Sequence, residues 1–181
     1  MNLIEEITTD PQMVKRFLLP LREDTAFEIP GHFEEEYKSL RSLSSSDKAV
    51  LISKVTSPEN YQTQIKLLAV LQHTLDRVQE LNSDLYFIQM RWHNHLKEAT
   101  TWVNRQYFVP LNDLRDGVRK SVLSSALSPI EAGCERIDAL IAIGEKIYSH
   151  LIATNWNLKE GSSLIKEYLT TLSSPMMRTS L

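Results

Sequence analysis

The chain has 181 residues, 42% of them hydrophobic and 24% charged, with a net charge of −3 and one cysteine. That length supports one domain with a real core and an appended arm, while the charge argues against a strongly basic nucleic-acid or membrane coat. The lone Cys134 excludes an intrachain disulfide, and no apolar run approaches the roughly eighteen residues of a membrane span.

Met1–Asp10 shows neither a basic n-region nor an apolar h-region, so the expectation is an intracellular, cytoplasmic protein without membrane association. Residues 1–57 carry seven Lys/Arg against ten Asp/Glu and form an acidic N-terminal arm. Asp10-Pro11 reads as a helix start, with Asp as N-cap and Pro at the first helical position. That helix ends before Pro20. Residues 19–32 hold two prolines and a glycine and read as an extended linker. Phe33–Leu43 reads as a helix with Phe33, Tyr37 and Leu40 on one face, and a further helix is expected at Asp47–Val55.

From Glu59 to Val109 there is no glycine or proline, and a proline stands at each end. Apolar residues recur at steps of three and four: Leu68, Leu71, Leu75, Val78, then Leu85, Ile88, Trp92, Leu96, Ala99 and Val103. That is a helix with a coiled-coil-like period, expected over about 58–109, opened by Ser57-Pro58-Glu59. Unbroken, it spans roughly 75 Å and needs partner helices to bury its stripe. Asn82-Ser83-Asp84 is its weakest point, because these side chains compete for backbone hydrogen bonds.

A helix over Leu111–Leu127 follows, with Leu114, Val118, Val122 and Ala126 inward and weakened at Gly117 by about 1 kcal/mol. Ser128-Pro129-Ile130-Glu131 reads as a capping box that opens a heptad-patterned helix over about 129–153. Its stripe is Ile130, Cys134, Ile137, Ile141, Gly144, Tyr148 and Leu151, widened by Ile143 and Ile147. Small residues such as Gly133, Ala139 and Gly144 permit close helix approach. Asn155 is a plausible break before a last helix, Leu158–Leu172, and residues 173–181 read as a flexible tail. No segment shows the period-two alternation of a strand. The sequence therefore predicts an all-α, elongated helical bundle over 58–172, with Leu68, Leu75, Leu85, Trp92, Ile137, Ile141 and Gly144 as its seam or self-association surface.

Signals for chemistry are few. His93 and His95 stand two apart, which turns them about 200° from each other on a helix, so one ion cannot take both. The five glycines are too dispersed for a phosphate loop. No serine or cysteine sits in a nucleophile motif, and Cys134 lies on an apolar stripe. A non-enzyme without metal or cofactor is expected.

One constellation mixes aromatics with cations. Between Tyr86 and Lys120 there are six Lys/Arg and three Asp/Glu, a net of +3, interleaved with Trp92, Trp102, Tyr107 and Phe108. Cations that track phosphates, with rings on which bases stack, hold single strands without sequence readout. The candidates for such contacts are Arg91, Lys97, Trp102, Arg105, Arg115, Arg119 and Lys120. The bland alternative is core packing for the tryptophans and solvation for the arginines.

Two readings follow. The first is a non-enzymatic helical assembly or adaptor protein that self-associates or scaffolds a larger complex, with protein partners and a homo-oligomer as its state. The second is a single-stranded nucleic-acid-binding accessory protein of the recombination-mediator kind, using the basic-aromatic edge.

Overall fold

In a computed structural model, residues 2–41, 61–109 and 115–172 are described, and among them there is no strand. The expected helix at Asp47–Val55, the Ser57-Pro58-Glu59 start, Pro110, Leu114 and the tail after Leu172 lie outside the described residues. The chain is an all-α helical bundle. No described helix is long and apolar enough to cross a membrane.

The first helix, α1 (Leu3–Thr9), has Asn2 as its N-cap and was not anticipated from sequence. Asp10 then caps α2 (Pro11–Met13), accepting from the backbone N–H of Gln12 and Met13 at 2.7 and 3.4 Å. The chain continues without a break into a π-helical turn, Val14–Leu18. The stretch expected to be an extended linker is instead largely helical: α3 covers Pro20–Glu23 and a 3₁₀ turn covers Thr25–Phe27. The cause is local. Pro20 sits at the first helical position, where its fixed φ suits a helix, and the Asp24 carboxylate accepts from Ala26 N–H at 2.8 Å. Residues 32–41 are helical (α4), with Phe33 and Tyr37 buried and Leu40 half-buried.

The long helix exists. α5 runs Tyr61–Val103 and passes through Asn82-Ser83-Asp84 without a break. Asn82 does not compete with the backbone there because its side chain is engaged elsewhere: Tyr37 Oη donates to Asn82 Oδ1 at 2.5 Å, both residues buried. α5 ends in a second π-helical turn, Asn104–Phe108, where the Val109 N–H reaches back to Asn104 O at 2.9 Å. The wider turn lets Val103 and Phe108, five residues apart, both be buried.

The largest departure from expectation is α6, one helix from Asp116 to Leu172. It replaces the three separate helices expected at 111–127, 129–153 and 158–172. Pro129 lies inside it. Glu131 does not reach back to Ser128; its carboxylate accepts from Ser124 Oγ at 2.8 Å. An internal proline costs about 3 kcal/mol, which is offset because the buried face (Ala126, Leu127, Ile130, Cys134, Ile137) crosses it without losing phase. Asn155 also fails to break the helix. It is buried on the same face as Leu151 and Leu158, with its amide directed at Gln72 Oε1, 3.4 Å away. Val118 and Ile143, expected inward, are exposed, and Val122 is half-buried.

The chain divides into two compact units. Unit 1 is Met1–Gly31 with Ser83–Ala142, and unit 2 is His32–Asn82 with Ile143–Leu181. Within unit 2, Gln72 meets Asn155 and Asn82 lies against Gly144, so the α5 and α6 segments run antiparallel there. Arg77 bridges Glu36 of α4 at 2.9 Å and Glu80 at 2.7 Å. Within unit 1, Trp92 lies over Gly133, and Gln89 and His93 both reach Asp138.

Unit 1 also holds a tyrosine–carboxylate pair: Tyr107 Oη donates to Asp10 Oδ2 at 2.6 Å. That bond, more than offsetting burial and helped by the Gln12 and Met13 N–H groups, holds Asp10 below its ordinary 3.8. Burial first, then the bond to Asp10, pushes Tyr107 up to about 12. The Asp10 contribution to stability is thus present above its unfolded value and lost as pH falls through its lower folded one. The Tyr107 contribution is intact below about 10 and lost as pH rises towards about 12. Tyr107→Phe is expected to cost about 1–2 kcal/mol at neutral pH and to flatten the acid limb of the stability curve. Urea unfolding at a series of pH values checks this, and superimposable profiles for the two proteins contradict it.

Candidate functional site

Two surface features of unit 1 stand on the same stretch of α5. The first is a groove of about 630 Å³ lined by Gln12, Arg16, Phe17, Asn94, Lys97, Glu98, Thr101, Trp102, Arg105 and Gln106. It is built by the α5 residues 94–102, the two π-helical turns and Gln12 of α2. The N-terminal turn is fixed to α5 by its buried side chains and by His95 Nε2, which meets Phe17 O at 2.9 Å. Phe17 lies 5.8 Å from the Trp102 ring and 5.5 Å from the His95 ring. Arg16 is exposed, with its guanidinium 5.3 Å from the Phe17 ring centroid. Trp102 is half-buried, packed between Phe17 and Tyr107.

The groove gathers Lys97, Trp102 and Arg105 from the residues singled out by sequence and leaves the other four outside its lining. Arg91, Arg115 and Lys120 are exposed elsewhere, and Arg119 is half-buried with its guanidinium 5.5 Å from the Phe108 ring centroid. Seven lining residues were missed; Gln12, Arg16 and Phe17 among them lie some eighty positions before the residues they meet. The one local hint is the pair Met13 and Phe17, one helical turn apart and both buried, which obliges that short helix to dock. Arg16, Lys97 and Arg105 make no ion pair among the described residues, and Glu98 is the one carboxylate in the lining.

The second feature is an apolar face two turns earlier on α5. Phe87 is 68% exposed and Met90 57%. Asp84 and Arg91 flank them at i−3 and i+4 from Phe87, on the same side of the helix, both exposed and neither in an ion pair among the described residues. Unit 2 has an exposed apolar pair of its own, Ile152 and Trp156, the latter 60% exposed.

The seam residues are placed differently. Leu75, Leu85, Trp92, Ile137, Ile141 and Gly144 are buried within the chain, and Leu68 is half-buried. A surface open to another molecule therefore lies elsewhere.

His93 and His95 take separate partners, Asp138 at 3.1 Å and the Phe17 carbonyl. Burial raises the Asp138 carboxyl, and the hydrogen bonds from Gln89 and His93 more than offset this, so it stays below the ordinary range. The Cys134 thiol is buried, and burial pushes it further from its reactive thiolate form. No cluster of metal-ligating side chains occurs among the described residues.

No protein-family model, curated protein or solved structure matches this chain.

Proposed function

We propose that this protein is a non-enzymatic assembly protein that self-associates through the α5 face formed by Asp84, Phe87, Met90 and Arg91. The observation that carries the reading is the exposure of Phe87 and Met90, one turn apart on a rigid helix. Large apolar side chains grouped on a surface and rimmed by polar residues mark interaction sites.

The flanking charges favour a second copy of the chain as the occupant. Asp84 and Arg91 stand seven residues apart, about 10.5 Å along the helix, too far to pair with each other. In an antiparallel, two-fold pairing centred midway between Asp84 and Arg91, beside Phe87, each Asp84 meets the Arg91 of the other copy. The contact then forms twice, as an isologous interface requires. Burying two Phe and two Met side chains contributes roughly 1.5–3 kcal/mol each, against an association cost of about 4–15 kcal/mol. Reversible, concentration-dependent assembly is the result.

Sedimentation velocity over a concentration series tests this. The wild type is expected to shift from monomer towards dimer, and Phe87→Asp to remain monomeric with unchanged helical circular dichroism. A wild type that stays monomeric throughout, or a Phe87→Asp variant that assembles equally well, contradicts the reading.

A further inference from the structure

We infer that the unit 1 groove is a binding site for a single strand of nucleic acid, a role distinct from self-association. Charge comes first. Arg16, Lys97 and Arg105 converge on one groove from three pieces of chain, and among the described residues none is neutralised by a carboxylate. Guanidinium forks match phosphate oxygens, and the Arg16 fork is steadied by the Phe17 ring beside it.

Spacing sets the kind of anion. Lys97 and Arg105 are eight residues apart, about 12 Å of helical rise, so a ligand that touches both carries more than one phosphate. Trp102 sets the class. Its half-buried ring borders the groove between these two cations, held in place by Phe17 and Tyr107. An aromatic side chain lining a basic groove can stack on an unpaired base and has nothing to stack on in an intact duplex. Asn94, Thr101 and Gln106 add side chains able to hydrogen-bond sugars and base edges without demanding one base. Glu98 opposes phosphate at one point of the lining and limits the affinity. Finally, Arg16 and Arg105 both sit in π-helical turns, a backbone form frequent at functional sites.

The test is fluorescence anisotropy with a labelled oligothymidylate of about twelve nucleotides and the full chain. With about three phosphates neutralised, affinity is expected to fall about twentyfold between 50 and 200 mM salt. Lys97→Glu and Arg105→Glu, both exposed, are each expected to weaken binding about tenfold or more, and Glu98→Gln to strengthen it about threefold. Phe87→Asp, which removes the proposed self-association face and touches no groove residue, is expected to leave binding to the monomer unchanged. A blunt duplex of the same length is expected to bind more weakly, and inorganic triphosphate at equal phosphate concentration not to displace the strand. The inference is overturned by absence of binding at 50 mM salt, by wild-type affinity in Arg105→Glu, by equal affinity for duplex, or by displacement with triphosphate, which makes the ligand a small polyphosphate. Each of these readouts is separate from the sedimentation result.

Discussion

Trp92→Ala is expected to destabilise the protein by about 3–5 kcal/mol, the range for removing a large aromatic from a packed core. Trp92 is 6% exposed, meets the Phe27 ring edge-on at 5.5 Å, and lies over Gly133 so closely that a Cβ there would clash with three carbons of the indole ring. The same geometry makes Gly133→Ala unfavourable by about 1–3 kcal/mol through overpacking, although alanine is by itself the better helix former by about 1 kcal/mol. The two changes are therefore coupled. In a Trp92→Ala background the ring is gone, and Gly133→Ala is expected to become neutral or stabilising. Urea unfolding of the four proteins measures the coupling. An unchanged cost for Gly133→Ala in that background contradicts the packing described.

Gly144→Ala is expected to cost about 2–4 kcal/mol in unit 2. A Cβ at this buried position collides with Asn82 Oδ1 and with the Tyr37 ring, the two partners of a buried hydrogen bond. The strain and the weakened bond contribute about 1–3 kcal/mol each, offset in part by alanine's helix propensity. Gly117 supplies the control: it is an exposed residue of the same helix, and a Cβ there meets nothing within 4 Å. Gly117→Ala is expected to stabilise by up to about 1 kcal/mol. The same chemical change then has opposite signs at two sites, and equal effects in thermal unfolding contradict the account.

The course of α5 was legible in the sequence because its stripe repeats at steps of three and four with no breaker inside. Leu75, Val78, Leu85, Trp92, Ala99 and Val103 are all buried as that spacing requires. The continuity of α6 was hidden by two strong local signals. Pro129 behind Ser128 looks like a helix start, and Asn155 looks like an end, but each is overridden by the unbroken buried face on either side of it. The phase of Leu127, Ile130 and Cys134 was the signal that outweighs the proline. Pro20 misled in the other direction: it starts a turn of helix where a linker was expected.

The groove was half legible. Lys97, Trp102 and Arg105 lie close in sequence on one helix, whereas Arg16 joins them through tertiary docking that local spacing does not encode. The apolar face was the least legible. Phe87 and Met90 differ from buried neighbours only by the side of α5 on which they fall, and that is decided by which face the rest of unit 1 covers.

The most direct test of self-association is a charge-exchange experiment by sedimentation velocity on Asp84→Arg, Arg91→Asp and their equimolar mixture. In a two-fold antiparallel pair, each single variant places like charges against each other at both ends of the contact. The mixture restores both ion pairs, because positions 84 and 91 are then both arginine in one chain and both aspartate in the other. The account predicts monomers for each variant alone and heterodimers on mixing. Equal assembly of both variants alone, or no assembly of the mixture at concentrations where the wild type associates, contradicts it.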